Sequence, residues 1–291
     1  MKTSAQRLAK FYWWINERHR IYLNKLAEKD WPWTKDEIMQ EYKFTNVFRE
    51  LDAETIKFHE RIDSFNGSQE DKLFHMIAYR AFNVQSTYDL LTRGAKTLGN
   101  AKKMKAILHK AADRGEKVFT GAYIITNAGR TEPKIDLMCD ALCVMFRGRN
   151  KIYEEMMNDG TMQGCTKILL AYPMQGPFTS YEVICDMRYQ KGMLWNAPDR
   201  KKWANLGPGA RRGINRIVTG NSKKNAFFGA HSADRYVEFM QEMLKTSPKY
   251  RGKHVPSLEM REIEHSLCEF DKYVRVLSGE GRPRAKYKRR K

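Results

Sequence analysis

Apolar side chains recur every three to four residues along nearly the whole chain, and no other property narrows its fold so far. Leu8, Phe11, Tyr12, Ile15, Tyr22 and Leu26 fall on one helical face over residues 4–28, with Arg and Lys between them. Leu73, Phe74, Ile77, Ala81, Phe82, Tyr88 and Leu91 do the same over 69–92. Segments 101–113, 134–157, 161–171, 177–190, 233–246 and 257–277 keep the period. Trp31-Pro32-Trp33-Thr34 breaks the first helix, and Thr34 stands where it can cap the next, with Glu37 three residues on. Strand-like alternation is confined to residues 118–125, where it is ambiguous. The expectation is a mainly all-α fold: one helical domain over 1–278, two-lobed about a cleft, and a basic tail over 279–291. Gly281-Arg282-Pro283-Arg284, Lys286, Lys288, Arg289, Arg290 and Lys291 make that tail too charged to pack. It reads either as a mobile arm on phosphates or as a plain solvated terminus.

Charge narrows the partner. The chain has 53 Lys+Arg against 34 Asp+Glu, a net charge of +19. Such an excess suits a polyanion, with double-stranded DNA favoured over a membrane. No apolar run reaches the ~20 residues a span needs, and residues 1–7 lack the apolar stretch of a secretory signal. Five scattered Cys suit reduced thiols and a cytoplasmic protein. Cys139 and Cys143, four apart, read as core positions, because no C-x-x-C pair or nearby His completes a zinc site. The spacing of an iron–sulfur cluster is absent too, and no cofactor or metal is expected. A monomer is the simplest expectation. The Walker A pattern G-x-x-x-x-G-K-[ST] occurs nowhere, which argues against a P-loop phosphotransferase in this chain.

Residues 169–181, Leu-Leu-Ala-Tyr-Pro-Met-Gln-Gly-Pro-Phe-Thr-Ser-Tyr, read as a helix, a tight hairpin and a second helix. A hairpin of this kind aims free backbone N–H groups at a phosphate, and Pro173, Gln175 and Gly176 are its candidate DNA contacts. Asp199 follows 23 residues after Gly176, and a second Gly-rich basic stretch runs over 206–216. There Gly207, Gly209, Arg211, Arg212 and Arg216 are read as a turn clamping phosphate, or as a structural turn with exposed arginines. This layout resembles helix-hairpin-helix DNA glycosylases. In them an Asp some 20–22 residues beyond the hairpin stabilises the sugar as the base leaves. That resemblance makes Asp199 the candidate catalytic acid, with a helix N-cap as its plainer reading. Asp186, in the second helix, is the alternative acid, or a partner for Arg188 or Arg200. Met174 stands where the glycosylase turn has its first Gly. Phe178 stands where bifunctional members carry a Lys, so water is the expected nucleophile and no lyase step follows.

Base recognition has its own candidates. Asn46 and Arg49, three apart, are read on one helix face, where Asn46 can address a pyrimidine edge and Arg49 a phosphate or a bulky substituent. Tyr79, Phe82 and Asn83 are candidates for a stacking wall, with core packing as the alternative for the two rings. Asn16, Glu17 and Arg18 read as a network joining the first two helices. Glu264, His265, Cys268, Glu269 and Asp271 look like a catalytic assortment, but adjacency in sequence is not adjacency on a helix. The acids read as neutralising nearby Lys and Arg, and His265 alone is a weak candidate.

Several stretches resemble one family at length. These are residues 14–21 (Trp-Ile-Asn-Glu-Arg-His-Arg-Ile), Pro32-Trp33-Thr34, 42–52 (Tyr-Lys-Phe-Thr-Asn-Val-Phe-Arg-Glu-Leu-Asp), Gly207-Pro208-Gly209-Ala210 with Arg212-Gly213, and 268–273 (Cys-Glu-Phe-Asp-Lys-Tyr). They resemble the family named for the helical domain of 5-hydroxymethyluracil DNA kinase, over about residues 10–287. The resemblance implies a helix-hairpin-helix glycosylase-like helical domain and a role in phage base hypermodification or in defence against it. The leading expectation is a monofunctional DNA N-glycosylase that flips out and excises a hypermodified pyrimidine, leaving abasic sites. The alternatives are a transferase acting on 5-(pyro)phosphomethyluracil in DNA, and a non-catalytic DNA-binding partner of the kinase.

Overall fold

The computed structural model describes residues 3–93, 97–121, 125–127 and 129–287. Among them the fold is all-α. The described residues form twelve α-helices in succession, and the sole β contact among them is a single bridge between Tyr42 and Lys286. The chain divides into two compact units. Residues 1–52 and 200–291 form the first, and residues 53–199 the second. A contiguous middle segment thus folds on itself, while the two ends of the chain fold together.

The first unit holds α1 (Ser4–Leu26), α2 (Glu37–Glu41), a 3-10 turn at Arg49–Leu51, α10 (Pro208–Thr219), α11 (Ser232–Tyr250) and α12 (Met260–Leu277). Its core gathers Phe11, Trp14, Ile15, Ile214, Ile217, Tyr236, Leu267 and Phe270, all buried. α1 lies against α10, α11 and α12. Arg7 donates to the Ile217 and Val218 carbonyls at 2.7 Å each, supplying donors to the last turn of α10. Thr34 does not cap α2. Asp36 does so, accepting from the Met39 amide, while the Thr34 hydroxyl donates to Glu17 at 2.6 Å. Asn16 reaches Tyr250 and Gly252 rather than the second helix.

The stretch expected as a second basic turn is α10 itself. Pro208 opens it at the first helical position, where its missing N–H is no loss. Gly209 and Gly213 are needed for close packing on α12. A Cβ on Gly213 would stand 2.4 Å from the Leu267 carbonyl oxygen, and one on Gly209 2.2 Å from Cys268 Sγ. The C-terminal stretch also departs from the expected free tail. Lys43 and Tyr287 donate backbone hydrogen bonds to Ala285 and Glu41, and the Tyr287 ring lies 5.5 Å from Trp33. Lys288, Arg289, Arg290 and Lys291 lie outside the described residues.

The second unit comprises α3 (Ala53–Asp63), α4 (Gln69–Phe82), α5 (Gln85–Thr92), α6 (Ala101–Asp113), α7 (Lys134–Asp159), α8 (Met162–Leu170) and α9 (Pro177–Met187). α4 is central, packed on α7 and α9. The segment expected as one helix over 69–92 is two, because Asn83 takes the left-handed conformation (φ 49°) and ends α4. Phe58 stacks on Tyr79 at 3.8 Å, with Tyr88 edge-on. The strand candidate forms no strand among the described residues, and its residues 122–124 lie outside them. Cys139 is buried, as is Cys165, and burial pushes both thiols up to about 12. No described helix is long and apolar enough to cross a membrane.

Candidate functional site

In the second unit the helix–hairpin–helix stretch forms as α8, a turn over 171–176, and α9. Met174, at the expected glycine position, holds φ 61°. Gly176 is the N-cap residue of α9, with no side chain capping the helix, and Pro177 occupies the first turn. Beside this end Gln175 is 7% exposed, yet neither of its amide atoms has a hydrogen-bond partner. Pro173 lies in the same turn and is partly exposed.

The two candidate acids have structural work in this unit. Asp199 accepts from the Met162 and Gln163 amides at 2.8 and 2.9 Å, so it caps α8 from a distance rather than a helix of its own. Asp186 is 2% exposed and pairs with Arg80, not with Arg188 or Arg200. Arg80 Nε and Nη2 reach its two oxygens at 2.6 Å each, and His59 Nε2 lies 3.0 Å from Oδ1. Burial pushes the Asp186 carboxyl up, but Arg80 and His59 outweigh it and hold it at about 2. Asn83 belongs to the same network, accepting from Arg80 Nη1 at 3.0 Å. Tyr79 and Phe82 are core side chains, 1% and 0% exposed, rather than walls of an open pocket.

The first unit gathers the family-like motifs. Asn46 and Arg49 do not share a helix face: residues 43–46 have no regular structure, and Arg49 opens the 3-10 turn. The Asn46 amide is used internally. It accepts from Arg18 Nη2 at 2.8 Å and donates to the Leu51 carbonyl at 2.8 Å, which takes it away from a base edge. Arg49 pairs with Asp52 at 3.2 Å and keeps about a fifth of its side chain exposed. On α10, Arg216 is buried against Asp271 and Glu280, Arg212 also pairs with Asp271, and Arg211 lies over the Tyr236 ring. Asp271 is wholly buried, so these two arginines hold α10 to α12. Gly207 donates its N–H to Glu264, and Gly209 is filled over by Cys268.

Sequence reading passed over what α12 does next to segment 44–46. Arg261, His265, Cys268, Glu269 and Lys272 lie three or four apart and so share one helix face. His265 Nε2 lies 2.5 Å from Thr45 Oγ1, and the Thr45 amide donates to Glu269. Lys272 pairs with Glu269 at 2.5 Å. From the other side Arg18 donates to the Phe44 carbonyl and to Asn46. Thr45 and His265 are partly exposed. Desolvation, with Arg49, Arg261, Lys272 and Arg18 around it, nevertheless holds His265 well below the ordinary imidazole pKa. The one available signal was the i, i+3, i+4 spacing of polar residues along α12. The partner Thr45 lies 220 residues away.

Residues 5–282 match the family model described as 5-hmdU DNA kinase, helical domain. A curated relative, the 5-hmdU DNA kinase of Bacillus phage SP10, is 28% identical over 295 residues. The match covers 91% of this chain and 44% of the relative, so the chain spans less than half the relative's length. No solved structure matches. The favoured expectation of a DNA N-glycosylase is corrected here: the named relative is a kinase, a transferase, and no finding supports a hydrolase. The chain belongs to the family of 5-hmdU DNA kinase helical domains.

Proposed function

We propose that this chain is a DNA-engaging component of base hypermodification, acting on DNA that carries 5-hydroxymethyluracil or its phosphorylated form. The observation that carries this reading is the alignment of 91% of the chain with a 5-hmdU DNA kinase. The +19 charge supports it, because DNA binding draws on counterion release by Lys and Arg. No Walker A pattern occurs in this sequence, so this reading does not place a P-loop phosphotransferase in it. Gln175 and Gly176, with Pro173 in the same turn, are the proposed DNA contacts, since the α9 N-terminus, which no side chain caps, lies beside the buried, unpartnered side-chain amide of Gln175 and suits a phosphate oxygen. Fluorescence anisotropy with matched duplexes carrying thymine, 5-hydroxymethyluracil or 5-phosphomethyluracil tests the reading. Tighter binding to either modified duplex at fixed salt is expected. Equal or absent binding to all three overturns it.

A second reading is favoured by one observation, the Thr45–His265 pair among cations. In this reading the chain is the transferase that follows phosphorylation. An amine attacks the 5-methylene carbon, the C–O bond to the (pyro)phosphate breaks, a C–N bond forms, and the amine proton leaves to a base. Incubating (pyro)phosphorylated DNA with an amino-acid mixture and weighing the released nucleosides tests it. An amine-dependent mass increase is expected, and no change refutes it.

A further inference from the structure

Buried arginines in folded proteins are normally matched by a carboxylate, because an unpaired charge out of water is costly. Arg18 breaks this rule. It is 6% exposed, and its hydrogen bonds go to two neutral oxygens, the Phe44 carbonyl and Asn46 Oδ1. Its Nη1 is buried without a partner. Asp52 and Glu269 act on it only from beyond ion-pair distance. Segment 44–46 lies against this guanidinium, and the same segment carries Thr45, whose hydroxyl meets His265 at 2.5 Å.

The surroundings are cationic and accessible. Arg49 and Lys272 keep 22% and 37% of their side chains exposed; Arg49 is held by the partly exposed Asp52, and Lys272 by Glu269, which is buried. A partly exposed pair such as Arg49–Asp52 is worth about 0–1 kcal/mol, so Arg49 can exchange it for a more highly charged anion. The carboxylates acting on these cations are Asp52 and Glu269, in the pairs just named. Thr45 and His265 add a hydroxyl and an imidazole, both able to donate to an oxyanion.

We propose that this face of the first unit binds a terminal phosphate group, a phosphomonoester or a pyrophosphate, held by Arg18, Arg49 and Lys272 beside the Thr45–His265 pair. Dianionic phosphate oxygens match guanidinium and ammonium donors better than a backbone diester does, since they carry more charge and more acceptors. The inference rests on the proposed function only for where that phosphate comes from, either the modified base or free pyrophosphate released beside it.

Histidine ring-proton NMR on the full chain tests the site. The chain has seven histidines, and the His265 signal is identified by its loss in His265→Gln. Titration with inorganic pyrophosphate at constant ionic strength is expected to move that signal saturably and to raise the pH at which the ring titrates. Arg49→Gln is expected to weaken binding about tenfold, equivalent to about 1.4 kcal/mol, with an unchanged far-UV spectrum. A single-stranded 5-phosphomethyluracil oligonucleotide and its thymine counterpart form the second arm. Movement by pyrophosphate alone supports a free anion, and movement by the phosphorylated oligonucleotide supports a DNA-borne one. No movement by either ligand overturns the site, as does equal movement by the thymine oligonucleotide. Duplex affinity is read separately by anisotropy, so loss of this site leaves the DNA-binding reading standing or falling by itself.

Discussion

Alanine at Gly213 makes a sharp test of the α10–α12 packing, because two effects of opposite sign compete. In an ordinary helix interior, Gly→Ala stabilises by about 0.8–1 kcal/mol through reduced backbone entropy of the unfolded chain. At Gly213 the added methyl would stand 2.4 Å from the Leu267 carbonyl oxygen and 2.9 Å from its carbon, both backbone atoms of α12. Backbone cannot swing aside as a side-chain tip can, so the helices must separate. Overpacking of this kind costs about 1–3 kcal/mol, and separation also weakens the Arg212 and Arg216 pairs to Asp271. The net expectation is a loss of about 1–2 kcal/mol. Gly148 in α7 is the internal control: its Cβ would meet only Ile152 Cδ1 at 3.9 Å, so Gly148→Ala is expected to gain about 0.5–1 kcal/mol. Urea denaturation followed by far-UV circular dichroism reads both, with thermal shifts of about 2–4 °C per kcal/mol. If Gly213→Ala unfolds at the same or higher urea concentration than the parent, the close approach of α10 to α12 is refuted.

Two further perturbations test the second unit. Met174→Gly relieves a left-handed backbone that costs an L-residue about 1–2 kcal/mol and sets this against the greater entropy of glycine. A net gain of about 0.5 kcal/mol is expected in the same denaturation assay, and a clear loss would show that the Met174 side chain is needed for packing. Asp186 makes stability depend on pH. Its folded pKa of about 2 lies below the unfolded value of about 3.9, so its contribution is present above pH ~4 and is lost as pH falls toward 2. That contribution is on the order of 2 kcal/mol. Asp186→Asn takes the nearest carboxylate from the buried Arg80 guanidinium, leaving it Glu182 at 3.7 Å, and is expected to cost about 3 kcal/mol near pH 7 while flattening the acid limb of the stability profile.

The helical segments were legible because helix formation is written locally. The 101–113, 134–157 and 161–171 periods correspond to α6, α7 and α8 with ends displaced by at most two residues. The break inside 69–92 was hidden, since Asn83 is not a strong stop signal and apolar residues continue on both sides. The reading of 206–216 as a turn failed for a related reason. Glycines signal turns by default, whereas Gly209 and Gly213 serve a helix crossing that only the position of α12 makes necessary. The site residues divide in the same way. Two of the three acids read on α12 neutralise basic neighbours, Asp271 with Arg212 and Arg216 and Glu269 with Lys272, while Glu264 accepts from the Gly207 amide. The inward turn of Asn46 and the pairing of Asp186 with Arg80 had no signature in sequence.

Amino-acid order alone determined the all-α class, the net charge of +19 and the family, because each is read from the residues or from motifs of neighbouring residues. Tertiary structure decided which charges remain available to a ligand. Arg216 is consumed by Asp271 from 55 positions away, while Arg18 is buried against neutral oxygens with its Nη1 unpartnered. Electrostatic pairing acts through space at a few ångströms and is indifferent to separation along the chain. An arginine therefore reads the same in sequence whether it clamps a helix or waits for a phosphate.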